Sequence, residues 1–139
     1  MSIMDTIQVT AAIMVRGSLV LVAQRPPGGR HPGAWEFPGG KVEPGESPEQ
    51  CLAREIAEEL EVAVEVGDKL AQVTHSYPDL DIELMAFECA IKSGEPADVG
   101  CSAHVWVHPR DLGDYDLLPP DRELVAAIWP NAGGPPSDG

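Results

Sequence analysis

The sequence predicts an α+β domain in which a mixed β-sheet is sandwiched between helices. Three observations predict it. β-rich runs come in pairs across short turns, two helical periodicities stand far apart in the chain, and 43% of the 139 residues are hydrophobic, enough for a core. A chain of this length fits one domain and buries about two-thirds of its surface on folding. One domain is expected over residues 1–130, followed by a disordered tail, NAGGPPSDG, over 131–139.

The elements follow in order. IQVTAAIMV (7–15) and LVLVAQR (19–25) flank Arg16-Gly17-Ser18 and form a hairpin. PPGGRHPGAW is rich in Pro and Gly and forms a loop suited to a site entrance. WEF is a short strand leading into Pro38-Gly39-Gly40, where glycine permits close backbone approaches. A helix starts at Ser47, with Pro48 at its first position and Gln50 completing a capping box; Leu52, Ile56 and Leu60 form its buried stripe. AQVTHSY and DIELMAFECAI flank Pro78-Asp79-Leu80 as a second hairpin. AHVWV (103–107) is a strand, and PPDRELVAAIW (119–129) is a closing helix with Leu124, Ile128 and Trp129 facing inward.

The net charge of −14 argues against binding a DNA or RNA polymer, which calls for a basic stripe. It leaves room for a small phosphorylated ligand held through divalent metal. No apolar run approaches the ~20 residues of a membrane span, and the first residues lack the pattern of a secretory signal. Three scattered cysteines, Cys51, Cys89 and Cys101, suit reduced thiols in a cytoplasm rather than a disulfide framework.

Within GGKVEPGESPEQCLAREIAEELEV (39–62), Glu55, Glu58 and Glu59 crowd one edge of the helix beside its buried stripe. Carboxylates at this spacing repel by a few tenths of a kcal/mol per pair. A Glu-rich helix face is ordinarily just solvated. Here the acids are clustered, Arg54 adjoins them, and a Gly-Gly turn and Glu46 precede them. Such a set of hard oxygens suits Mg²⁺ completed by water and phosphate.

Gly40, then Glu46 after five residues, then Arg54-Glu55-Ile56 after seven more, then Glu58-Glu59, is the pattern of the Nudix box. The chain resembles the Nudix hydrolases over most of residues 7–129, and WEFPGGKVEPGESPEQ with Tyr77-Pro78-Asp79 resembles their MutT branch. The resemblance implies a Nudix fold, an α/β/α sandwich. It implies Mg²⁺, with Mn²⁺ as a substitute, and attack of water on a nucleoside triphosphate to give monophosphate and pyrophosphate. Nucleotide-pool sanitation with 8-oxo-dGTP as favoured substrate is the leading expectation. Carried over by position, Glu55, Glu58, Glu59 and the Gly39 carbonyl bind metal, and Arg54, Glu55 and Glu58 serve catalysis. Arg25 holds a phosphate, and Phe37, Lys41 and Asp121 complete the substrate contacts. Phe37 either stacks on the base or packs in the core. Asp121 either caps the last helix or reads the base, as a carboxylate accepting from cytosine, guanine or 8-oxoguanine.

Two positions depart from the family pattern. Glu61 stands where glycine usually ends the helix, so an altered helix end is expected with the metal site unaffected. Gly100 stands where relatives commonly carry another Glu, leaving the general base open, with Glu95 and Asp98 as substitutes on the same loop. His75 and His104 are strand residues expected in packing or at the surface. The rival readings are a CTP or modified-pyrimidine pyrophosphohydrolase, a nucleotide-sugar or dinucleoside polyphosphate hydrolase, and a non-catalytic nucleotide sensor. The short segment before the first strand weighs against a nucleotide-sugar enzyme, and the intact box and lack of a second domain against a sensor. A monomer or weak homodimer is expected.

Overall fold

The computed structural model describes residues 5–130, and the tail expected at 131–139 lies outside the described residues. The elements are β1 (Asp5–Arg16), β2 (Leu19–Gln24), β3 (Trp35–Glu36), α1 (Pro48–Leu60), β4 (Ala63–Tyr77), β5 (Leu80–Ser93), β6 (Ala103–Val107), a 3₁₀ helix (Pro109–Asp114) and α2 (Pro119–Ile128). The sheet runs β3-β2-β1-β5-β4, with β6 paired to β2. β1 and β5 are parallel and the other pairs are antiparallel, so the sheet is mixed. Both expected hairpins form, with Val15 opposite Val20 and Tyr77 opposite Leu80.

Strand periodicity builds the sandwich, because neighbouring residues point to opposite faces. Ala12, Met14, Leu21, Ala23, Met85 and Phe87 join Leu52, Ile56 and Leu60 of α1 in one core. Ala11, Ile13, Val20, Val22, Leu84 and Ala86 join Leu112, Leu124 and Val125 in the other. The middle of β1 is buried on both faces, which is why Ala11-Ala12-Ile13-Met14 reads as an apolar run without polar alternation. Ile128 and Trp129 pack against the second core while remaining partly exposed.

Three local features differ from expectation. β4 begins at Ala63, because the strand continues through Gly67-Asp68 with register shifts instead of turning there. The segment Pro109–Asp114 forms a 3₁₀ helix that buries Leu112. The end of α1 is not altered: Glu61 adopts the left-handed conformation (φ 59°, ψ 34°) that glycine would take, and its N–H donates to the Ala57 carbonyl. That conformation costs an L-residue about 1–2 kcal/mol, and the surrounding packing sustains it.

Candidate active site

α1 is started by its own sequence. Ser47 Oγ accepts the Gln50 N–H at 3.1 Å, and Gln50 Oε1 accepts the Ser47 N–H at 2.9 Å. The start of the helix lies under the glycine turn, which hangs from β1. The Thr10 N–H donates to the Gly40 carbonyl at 2.8 Å and the Ala12 N–H to the Pro38 carbonyl at 2.7 Å. Among the described residues the intervening Gly39 carbonyl takes no hydrogen bond, so it is open to another partner. Gly39 has no room for a side chain, because a Cβ there would lie 2.0 Å from the Thr10 carbonyl oxygen; one on Gly40 would lie 2.3 Å from the Glu55 carboxyl carbon and push that side chain aside.

Arg54 organises the acids. It grips Glu46 with two nitrogens, at 3.1 and 2.7 Å, and reaches Glu55 at 3.1 Å and Glu58 at 3.4 Å. The Arg54 hydrogen bonds, with help from the Glu43 amide, hold the Glu46 carboxyl down at about 2. Burial pushes Glu55 up, against the pull of Arg54. Burial also pushes Glu59 up to about 8, reinforced by the charges of Glu36 and Glu55. Glu59 Oε1 is buried and among the described residues has no hydrogen-bond partner. Such an orphaned acceptor is costly unless a cation or proton meets it.

These donors fit a hard divalent cation, since all are oxygens and two of them, Glu59 Oε1 and the Gly39 carbonyl, lack partners. Among the described residues the acids do not converge into a closed cage. Arg54 draws Glu55 and Glu58 toward itself, and 62% of the Glu58 side chain is exposed. Metal binding would require these two side chains to turn.

Glu59, Gly39 and Gly40 form one side of a cavity of about 510 Å³, a size ordinary for a small-molecule site. Asp121, Pro120 and Leu118 line it from the α2 side, Tyr77, Pro78 and Asp79 from the β4–β5 turn, and Arg25, Arg30, His31 and Glu36 from β2, β3 and the loop between them. Asp121 is 5% exposed and is not an N-cap, because Leu118 holds that position. Instead its Oδ2 accepts the Phe37 N–H at 2.9 Å. Burial, followed by the charge of Glu36, pushes the Asp121 carboxyl up to about 8. At neutral pH it is therefore largely protonated and can donate a hydrogen bond as well as accept one, unlike the simple carboxylate the sequence suggested.

The remaining sequence candidates fare unequally. Arg25 lines the cavity, but Nε donates to the Arg30 carbonyl at 2.8 Å and Nη1 to both Glu36 oxygens at 3.1 Å, leaving one nitrogen to reach a phosphate. Phe37 is 2% exposed and packs near Trp129, so core packing is its main role while its edge borders the cavity. Lys41 is exposed and is not among the residues lining the cavity. Glu95 pairs with Arg16 at 3.0 Å, and Asp98 with His104; neither lines the cavity. His75 pairs with Glu123 away from the acids of α1. Glu36, Arg30 and His31 were not singled out from sequence. An acid between Trp35 and Phe37 in a strand was the available signal for Glu36.

The NUDIX domain family model matches residues 9–127. The chain belongs to this family. A CTP pyrophosphohydrolase of Escherichia coli is 37% identical over 135 residues, covering 97% of this chain and all of its own. A Mycobacterium tuberculosis protein provisionally named 8-oxo-dGTP diphosphatase 2 is 39% identical over 137 residues, covering 94% of this chain and 93% of its own. The solution structure of the E. coli ORF135 protein superposes with a TM-score of 0.81 at 36% identity, covering 97% of this chain and 96% of that one. This Nudix chain is a hydrolase of acid anhydrides with nucleotide pyrophosphohydrolase activity, built on the mixed-sheet sandwich of the MutT-like structures. The family generally works with divalent metal. No helix among the described residues is long and apolar enough to cross a membrane.

Proposed function

We propose that this Nudix enzyme is a Mg²⁺-dependent nucleoside triphosphate pyrophosphohydrolase of nucleotide-pool sanitation in the cytoplasm, with 8-oxo-dGTP its favoured substrate. The observation that carries the reading is the orphaned Glu59 oxygen beside the open Gly39 carbonyl, on the same cavity as Asp121. Glu55, Glu58, Glu59 and the Gly39 carbonyl would hold the cation, which supplies charge neutralisation at the phosphates and makes water more acidic. Arg54, anchored on Glu46 by two nitrogens, gathers Glu55 and Glu58 beside the site, from where they turn to the cation. Arg25, braced by Glu36, presents its remaining nitrogen to a phosphate. Asp121, with donor and acceptor both available, meets the base edge.

Water adds to a phosphorus of the triphosphate, the bond to the bridging oxygen between the α- and β-phosphorus breaks, and monophosphate and pyrophosphate leave. The chemistry asks for positioning and charge stabilisation more than covalent help, which matches a site built of carboxylates and arginines. A second reading takes CTP or a modified pyrimidine nucleotide as substrate, favoured by the likeness to the E. coli CTP pyrophosphohydrolase. Pyrophosphate release over 8-oxo-dGTP, dGTP, dCTP and CTP, with Mg²⁺, with Mn²⁺ and with chelator, tests both. Release without divalent metal would overturn the metal reading, and the highest kcat/KM for CTP would replace the favoured substrate.

A further inference from the structure

We propose that the loop of residues 94–102, latched to β6 by Asp98 and His104, is a positioning device that holds Glu59 where a divalent cation needs it. The inference rests on the reading of Glu59 as a metal ligand.

Glu59 sits in the last turn of α1, where the helix's own amides no longer reach the carbonyls and where helices fray. That turn has no basic residue, and it ends on Glu61 in a left-handed conformation. Backbone amides of the loop supply the missing donors. Ala97 N–H donates to the Leu60 carbonyl at 2.9 Å, and Gly100 and Val99 N–H both donate to the Glu59 carbonyl, at 3.0 and 3.3 Å.

The loop also touches the stem of the Glu59 side chain. A Cβ on Gly100 would lie 3.2 Å from Glu59 Cγ and 3.3 Å from its Cα. Glycine at position 100 thus lets the backbone lie flat on Glu59. Where the family pattern puts a carboxylate, this chain puts a contact that constrains another carboxylate.

The loop is held in turn. Asp98 Oδ1 shares a hydrogen bond with His104 Nδ1 on β6 and lies 3.6 Å from Cys101 Sγ. Cys101 is buried in the same core as Leu60 and Val62. Loss of the latch frees the segment between Glu95 and Cys101, the last turn of α1 loosens, and Glu59 loses its fixed direction.

The test is direct Mn²⁺ binding to the intact protein without nucleotide, read by electron paramagnetic resonance of the free ion. Asp98→Ala and His104→Ala are each expected to weaken Mn²⁺ about tenfold or more and to shift half-saturating metal for turnover equally, with kcat at saturating metal held within about twofold. Amide exchange at Glu61 and Gly100 should quicken in both. Asp98→Asn keeps the acceptor while removing the charge and should bind Mn²⁺ like the parent, as should Glu95→Gln, which removes a charge from the same loop. If Asp98→Ala fails to fold, His104→Ala tests the same latch from the strand side. Unchanged Mn²⁺ affinity in the latch variants overturns the proposal, as does Asp98→Asn binding as weakly as Asp98→Ala, which would make charge the cause. Glu59→Gln separates the two levels. If it abolishes Mn²⁺ binding while the latch variants bind normally, only the latch is wrong. If the parent protein binds no Mn²⁺, the metal reading falls and takes the latch with it.

Discussion

Glu59 and Asp121 face one cavity from helices on opposite faces of the sheet, and burial pushes both carboxyls up to about 8. Their partners differ. Asp121 receives the Phe37 N–H, whereas Glu59 Oε1 receives nothing from the described residues. Asp121 stands in the first turn of its helix, where backbone amides and the positive end of the dipole favour a carboxylate. Glu59 stands in the last turn, where the dipole opposes it. Two carboxyls raised to the same range are therefore two kinds of group. Asp121 has an oxygen completed by the fold, and Glu59 Oε1 is left to be completed by a ligand.

The sharpest way to break this comparison is to neutralise each acid. Glu59→Gln should lower turnover at least about a hundredfold, since several kcal/mol of charge stabilisation goes with the cation. Glu58→Gln should do likewise, and metal-free melting temperatures should not fall, because like-charge repulsion is relieved. Asp121→Asn keeps an acceptor for Phe37 and should still require Mg²⁺. Near-parental rates for both glutamate variants in saturating Mg²⁺ would erase the distinction between the two sides.

The organiser of the metal side comes next. Arg54→Lys keeps the charge but loses the fork that grips Glu46 and reaches Glu55. Metal affinity is expected to fall about 10- to 100-fold, measured by Mn²⁺ titration, with less effect on the ranking of nucleotides.

On the other side, Asp121→Asn should change the ranking of 8-oxo-dGTP, dGTP, dCTP and CTP by about 1–3 kcal/mol in relative kcat/KM, the worth of a good base contact. An unchanged ranking would reduce Asp121 to a support for Phe37. The same variant reports on titration. The folded-state pKa of Asp121 lies above its unfolded value of 3.8, so the native state holds a proton that the unfolded chain releases. The resulting stability is fully present below about pH 4 and is lost as pH rises through about 8. Relative to Asp121→Asn, the parent protein should lose melting temperature across that window, and parallel curves would refute the shift.

The smallest effect belongs to the end of α1. Glu61→Gly removes the left-handed strain but adds freedom to the unfolded chain. The net gain should be a few tenths to about 1 kcal/mol in denaturant unfolding. No loss of Mg²⁺ dependence is expected. A destabilised variant would mean that the Glu61 side chain does more than occupy a glycine's place.

Much of this was readable in the sequence, and the reason is locality. The capping box, the buried stripe of α1 and the hairpin turns depend on residues within a few positions of one another. So does the Arg54 fan toward Glu55 and Glu58. What sequence missed depends on distant partners. Asp121 reads as either a helix cap or a base contact until Phe37, 84 positions away, claims its oxygen. Glu95 is drawn off by Arg16, 79 positions away, and Asp98 by a strand histidine. The early part of β4 was hidden by Gly67-Asp68, a turn signal that pairing with β5 overrides. Glu61 obeyed the family geometry against its own preference, because the chain must turn there to enter β4.

The parallel pairing of β1 with β5 has a kinetic consequence. Partners in that ladder, such as Gln8 and Glu83, lie 75 positions apart in the chain. Closing so long a loop is slow, and its entropy is spent before the contacts form. The glycine turn hangs from this same β1, through Thr10 and Ala12. No cation can find its ligands assembled until β1 has taken its place, so divalent metal should leave the refolding rate almost unchanged and act by slowing unfolding. In a stopped-flow chevron, added Mg²⁺ would lower the unfolding arm and leave the folding arm where it was.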